Sequence, residues 1–520
     1  MSNTWSDETR AIAETAGVAN SAPRQQNAFR KTARCTRAHP SASSSLDPAA
    51  ITSPSDEEWQ VTLANLWLYS SYVTNAIELG SVRSGHLFTE RSADPVQSCT
   101  LTYEGGVGPV LSVPYIRGET QFAATQRWFQ QREPPPTLLF ADPAGVVTFS
   151  GVRWAGHRGA GIELGRLTAD TVILGRPRTV KDEYRFSDFT STIDGLEEFC
   201  GFQPISDNLD DPARARAVTF TVNPPEEVHW RHKGFTYALR SWAPWSTDGR
   251  EVSVQSTATL TTHRRTRALV NEHIAAQWPV RALLLLVLGS EIYWREHRIL
   301  DDQFPTWMMS GGPHAPQSLQ VLSRRTLRDH EQEPADHHKF IWSLFALPDV
   351  KAAGLARWLK LYEDPIFRRA IEPTVEVING ATNFLEPRLM MLSLGLDAMG
   401  HFRDGTRKRN VKLSDQILRC ITASGLDLSE IGSAKGIAAA IATMNNDIKH
   451  ADRPDRPDGV ELSLAVDLGL LIMRFQLFDL LRLSKRIHQQ ALHSHDINFL
   501  LEAFRLNGLK IDESGSFVPR

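Results

Sequence analysis

A multidomain α+β protein, with a β-rich N-terminal domain followed by an all-α helical bundle, is the fold class this sequence predicts. Three observations lead there. The chain has 520 residues and a mass of 58.2 kDa, more than one typical core accommodates, which points to two or three domains. From about residue 56 to 265, short runs of alternating or β-branched apolar residues are punctuated by Gly and Pro, the pattern of strands and turns. In the last third, apolar residues recur at intervals of three and four, the stripe that a helix buries against a shared core.

Taken in order, residues 1–55 are rich in Ser, Ala, Thr and Pro, carry Arg24, Arg30, Lys31, Arg34 and Arg37, and hold few large apolar residues, so a tail without a core of its own is expected. Within 56–265, a β-rich sensor or accessory domain, strands are expected at 108–113, 137–140, 146–151, 161–167, 171–174, 218–222, 235–239 and 252–262. Trp230, Trp242 and Trp245 read first as packing area, with a base-stacking platform as the alternative. Residues 266–375 read as a helical connecting region, with helical patterns over 267–298, 339–347, 352–362 and 365–379. Residues 376–510 read as a bundle of four or five helices. Leu385, Leu389, Leu392, Leu396 and Met399 form one stripe, and Leu464, Leu468, Leu471, Phe475, Phe478 and Leu481 form another. Shorter helices are expected around 413–423, before His450, and at 495–506.

The balance of 57 basic and 60 acidic residues gives a formal net charge of -3, so no global positive field favours sequence-independent binding to nucleic acid, while a local cleft stays compatible with RNA. Cys35, Cys99, Cys200 and Cys420 are scattered without a CxxC pair, against a disulfide scaffold or a cysteine-rich zinc site. The opening MSNTWSDETR lacks the basic and apolar regions of a signal peptide, and the most apolar run, Ala282 to Leu288, is far shorter than the roughly 18 residues that cross a bilayer. A cytoplasmic protein with no membrane partner is the expectation, and that run reads as a buried core helix. Phosphate-loop, dinucleotide-binding, zinc-hydrolase and nucleophile-elbow motifs do not occur. His337-His338 lacks a third ligand at useful spacing, and His488, His493 and His495 read as structural, with Asp496 a candidate helix cap. No cofactor or metal is expected.

One polar group stands out. Ile437, Ile441, Met444 and Ile448 make an apolar helical stripe, which sets Asn446 and His450 together on another face of the segment Asn445-Asn446-Asp447-Ile448-Lys449-His450. His450 followed by Ala451-Asp452-Arg453-Pro454 also fits a helix end, because the residue before proline resists helical geometry.

Phe384-Leu385-Glu386 through Asp397-Ala398-Met399, the Asn445 to His450 segment and the long helix from Val460 resemble a HEPN domain of the ApeA kind. The β-rich part before them is similar to the N-terminal domain that accompanies HEPN in ApeA anti-phage abortive-infection proteins, so the resemblance covers residues 60–505. It implies an HEPN-like helical bundle that forms a homodimer or higher even oligomer. Two copies of a motif, an arginine, a polar residue and then a histidine, would meet there as a metal-independent endoribonuclease site. On that pattern Asn446 takes the polar position, His450 the histidine, and Asn445 stands where the arginine is expected, with Asp397 the residue of the first long helix that faces the site. The substrate implied is RNA, with transfer RNA one option, and the trigger is of phage origin.

Metal-free RNA cleavage uses the 2′-hydroxyl as nucleophile and needs a base, an acid for the leaving 5′-oxygen, and donors against the phosphorane charge. Histidine suits the proton transfers, its ordinary pKa of about 6.5 lying near working pH. Asparagine cannot supply the fixed charge and donor fork of an arginine, so Lys449, Arg453 and Arg456 are the cations available to replace it. Three readings stay open at this stage: RNA cleavage, a non-catalytic RNA- or protein-binding dimerisation module, and a structural scaffold.

Overall fold

The computed structural model describes residues 75–89, 95–160, 162–207, 220–223, 226–243, 245–247, 252–254, 256–308, 310–333, 343–405, 411–450 and 457–520. The tail expected over 1–55, His337-His338, Arg453 and Arg456 lie outside them, as does the side chain of Trp245.

Alternating apolar residues build the first layer. Strands β1 (Val82–Phe88), β2 (Gln97–Glu104), β3 (Gly108–Ile116), β4 (Thr137–Asp142), β5 (Gly145–Ala160) and β6 (Ile162–Ile173) pair antiparallel in the order β6-β3-β2-β1-β4-β5. A further β5–β6 ladder closes them into a barrel, which removes the free edges. Leu101, Val113, Phe140, Phe149 and Leu167 fill the interior, and helix α1 (Ala123–Gln130) adds Trp128 and Phe129 to the same core. Phe129 stacks on Tyr115 with ring centroids 5.2 Å apart. Gly165 is required beneath it, since a Cβ there would lie 2.2 Å from the Phe129 ring.

The chain continues through β7 (Phe186–Ile193), α2 (Leu196–Cys200), a two-stranded ribbon of β8 (Ile205–Asp207) and β9 (Phe220–Val222), β10 (Glu227–His232) and β11 (Phe235–Trp242). A second ribbon of β12 (Trp245–Thr247) and β13 (Val252–Val254) precedes β14 (Thr257–Ala268), α3 (Val270–Leu288), β15 (Trp294–Trp307), β16 (Pro313–Ser323) and α4 (Leu327–His330). From β6 the sheet runs on as β16-β15-β7-β14-β11-β10, so β6 serves both the barrel and this extension. Trp230 is buried and stacked on Tyr237, a packing role, while Trp242 is exposed.

Helix α3 carries the apolar run Ala282 to Leu288 fully into the core, as its length suggested. The helical expectation for 267–298 and for the connecting region is corrected here. The helix stops at Leu288 because Gly289 takes a left-handed φ of 68°, and β15 and β16 then join the sheet. Within β15 the charged sequence hides an inward set of Trp294, His297, Ile299 and Asp301. Residues 343–346 precede a helix rather than forming one.

Helices α5 (Leu347–Leu361), α6 (Pro365–Ile378), α7 (Leu385–Asp404), α8 (Leu413–Ser424), α9 (Ala434–Lys449), α10 (Gly459–Leu480), α11 (Lys485–Ala491) and α12 (His495–Leu506) follow, with a closing ribbon of β17 (Leu509–Ile511) and β18 (Phe517–Pro519). Caps set their starts. The side chains of Asp364, Ser433, Asp458 and Ser484 each accept from a backbone N–H in the first turn. The stripes read from the sequence face one another, with Leu389, Leu392, Leu396, Leu468, Ile472 and Phe475 fully buried in one cluster. No helix among the described residues is long and apolar enough to cross a membrane.

Two buried arginines join the β-rich and helical parts. Arg474 of α10 donates to the carbonyls of Leu286 (2.7 Å) and Val287 (3.1 Å) at the end of α3 and pairs with Asp496 of α12 at 2.6 Å. Asp496 therefore serves as a counter-ion. Arg281 of α3 donates to the Ile292 carbonyl (2.6 Å), to Asp329 of α4 (3.1 Å) and to Asn379 just past α6 (3.2 Å).

Candidate functional site

The polar segment singled out in the sequence ends helix α9, which packs on α8, α7 and α10. Ser433 caps its start, accepting from Gly436 N–H at 3.1 Å, and Ile437, Ile441 and Met444 are buried. The helix ends at His450, whose backbone leaves helical geometry at φ -103°, ψ 95° while its N–H still donates to the Asn446 carbonyl at 3.1 Å. Asn446, Lys449 and His450 are all exposed at this end. The stripe thus puts Asn446 and His450 together at the surface.

Asn445 differs. It is 1% exposed, and neither its amide oxygen nor its amide nitrogen has a hydrogen-bond partner among the described residues. Leaving such a group unpaired costs about 1–3 kcal/mol.

Asp397 lies on α7, half-buried, with the His401 ring one turn on, Nε2 to Oδ1 3.8 Å. Among the described residues no hydrogen bond or ion pair joins Asp397 to His450, Asn446 or Lys449. The His401 ring meets the buried Gln416 amide at 3.2 Å; Gln416 accepts from Arg419 at 2.8 Å, and Arg419 reaches Asp404 at 3.4 Å. Sequence reasoning missed this α7–α8 cluster, although the spacing of Asp397 and His401, four apart on one helix, was available as a signal. Beside it Cys420 is buried, and burial pushes its thiol up to about 12, so it stays protonated.

His488 is structural, its Nε2 meeting the Ser424 carbonyl at 2.9 Å and its ring packing on Phe478. Among the described residues no group of three or more His, Cys, Asp or Glu is arranged to hold a metal. A cavity of about 400 Å³ lies in the β-rich part, lined by Val96, Trp128, Glu133, Pro135 and Asp182 among others, and none of the residues designated from the sequence borders it.

Against known families, the model of ApeA N-terminal domain 1 matches residues 85–353, more than half of the chain. The chain belongs to the ApeA family. The matched stretch takes in nearly all of the barrel, its sheet extension, α3 and α4, and reaches into α5. Membership of the ApeA family makes this an anti-phage defence protein of the abortive-infection type. Searches among curated proteins and among solved structures return no match. The segment ending at His450 lies beyond the ApeA-matched stretch.

Proposed function

We propose that the helical part is an HEPN-type effector that cleaves RNA without a metal, controlled by the ApeA-family β-rich part and acting as a homodimer or higher even oligomer. The observation that carries this reading is the exposed trio Asn446, Lys449 and His450 at the end of a capped helix with a buried apolar stripe, in the helical part that follows the ApeA domain. His450 is the proton-transfer group, Lys449 the cation for the phosphorane, and Asn446 a donor to phosphate or ribose. Asn445 sits one position back, turned into the core, and acts by placing that trio. Asp397, paired with His401, belongs to an adjoining polar face of α7. A transfer RNA or other structured RNA is the substrate class, and a phage product is the trigger.

The outward face of α7 supports self-association: Met390 and Leu394 are exposed four residues apart, with exposed Phe384 at the helix start. Leu394→Glu should halve the mass measured by light scattering. An unchanged mass would place the interface elsewhere.

The deciding experiment compares purified wild type and His450→Ala on total cellular RNA in EDTA, with and without phage-infected extract. Loss of about 10²–10⁴-fold in the variant is the expected result. Equal behaviour of the two proteins in both states would remove the catalytic assignment. The burial of Asn445 where the motif carries arginine favours a second reading, a binding-only module, and equal RNA retention without cleavage would select it.

A further inference from the structure

The cavity of about 400 Å³ in the β-rich part forms where separate stretches of chain meet beside the barrel. The link from α1 to β4 supplies Glu133 and the run Pro134-Pro135-Pro136, α1 itself supplies the buried Trp128, and the link from β6 to β7 supplies Val180 and Asp182. Hydrogen bonds hold these walls. The Pro136 carbonyl accepts from the Gly151 and Val152 N–H groups of β5 at 2.9 and 3.1 Å, and Thr137 Oγ1 donates to the Asp182 carbonyl at 3.3 Å. The Thr137 bond sets the chain at Asp182 against the end of the proline run, so Glu133 and Asp182 both belong to the lining of one concavity.

The charge of these carboxylates is uncompensated. Other carboxylates of the barrel have an arginine beside them: Asp142 pairs with Arg83 at 2.6 Å, Asp170 with Arg153 at 2.6 Å and Glu163 with Arg117 at 3.7 Å. Glu133 and Asp182 have no ion-pair partner among the described residues, and no Lys, Arg or His is among the described residues that line the cavity. A cleft lined by one sign of charge between low-dielectric walls focuses the field and draws in the opposite sign. The neutral lining narrows the choice further. Proline has no N–H, so the run 134–136 offers ring carbons and carbonyl oxygens but no backbone donor, and with Trp128 and Val180 it makes an apolar wall beside the carboxylates. An anion is repelled there, and a neutral apolar molecule takes water from the carboxylates without replacing it. A positively charged nitrogen on a short methylene stem meets both demands, its N–H groups donating to carboxylate oxygen and its carbons covering the wall.

We propose that this cavity is a binding site for an alkylammonium group, held by Glu133 and Asp182 and packed on Trp128, Val180 and the proline run. Its volume falls within the range of small-molecule sites, about 300–1,000 Å³. All of these residues lie in the stretch matched by ApeA N-terminal domain 1, so the site belongs to the β-rich part and does not depend on the chemistry read at His450. The same group is carried by a free amine and by a lysine side chain of another protein, and experiment separates the two sources.

The test is isothermal titration of the full chain with cadaverine, with pentanediol as its uncharged counterpart of equal chain length, and with a Gly-Lys-Gly peptide blocked at both ends. The expected result is saturable binding of cadaverine or of the peptide, at least about tenfold tighter than that of pentanediol and about ten- to a hundredfold weaker in the double variant Glu133→Gln/Asp182→Asn. Both side chains are exposed and unpaired among the described residues, so this variant should keep the wild-type urea midpoint. Val180→Lys, which gives the lining a cation of its own, should lose binding as well. Tighter binding of the peptide assigns the site to a lysine side chain of a partner, and tighter binding of cadaverine assigns it to a free amine. Equal titrations of wild type and the double variant would overturn the proposal, as would pentanediol binding as tightly as cadaverine or the absence of saturable binding by either cation.

Discussion

Gln277 in the β-rich region and Asn445 in the helical region are both buried amides, yet Gln277 meets Ser191, Thr262 and two backbone carbonyls while Asn445 meets no hydrogen-bonding group among the described residues. A fully satisfied buried network costs little and excludes alternative packings of the strands it ties. An unsatisfied amide costs free energy and returns none to the fold. The β-rich region thus uses its buried polarity to specify its own architecture. The helical region carries an unpaired buried amide one position before the exposed Asn446.

The comparison breaks first at Gln277. Gln277→Leu removes the amide that ties Ser191 and Thr262 together and takes a donor from the Phe189 and Leu260 carbonyls, and a loss of about 3 kcal/mol in urea unfolding is expected. A loss below about 1 kcal/mol would mean that the network is not what holds this layer. Acid should separate the regions next. Burial lowers His273 and His297 below their usual range, with the neighbouring His330 adding to the effect at His297, so the unfolded chain binds more protons than the folded one below about pH 6.5. Stability should accordingly fall as pH drops from 7 to 5, and His273→Gln should flatten that slope in the urea midpoint. A slope unchanged by the substitution would assign acid sensitivity to other groups. The smallest effect belongs to Asn445→Leu, a substitution of similar volume that removes the unpaired amide. It should leave stability unchanged or raise it by about 1 kcal/mol, and a clear loss would reveal a partner for the amide in solution.

Much of the helical part could be read from the chain. The expected helix over 495–506 coincides with α12, and the stripes starting at Leu385 and Leu464 are the buried faces of α7 and α10. In the β-rich part, segments at 108–113, 137–140, 146–151 and 235–239 lie within strands. β7, β15 and β16 were not legible. In β15, His297 and Asp301 occupy inward positions, so the apolar alternation that announces a strand is replaced by polar groups whose partners come from other strands. At the candidate site, the surface placement of Asn446 and His450 followed from helical spacing. The Asp397–His401–Gln416 cluster did not, since Gln416 arrives from α8.

By itself the sequence determined which faces of α7 and α10 are apolar, where α12 lies, and that Asn446 and His450 share the end of α9, because capping, proline and 3.6-residue periodicity are local properties of the chain. Only the tertiary structure decided that β5 closes on β6, that Arg474 and Arg281 tie α3 to the helices, that Asn445 is enclosed without a partner among the described residues, and that Gln277 of α3 reaches both β7 and β14. Each of these is a meeting of residues far apart in the chain. Their free energy depends on distance, direction and exclusion of water, none of which the order of residues records.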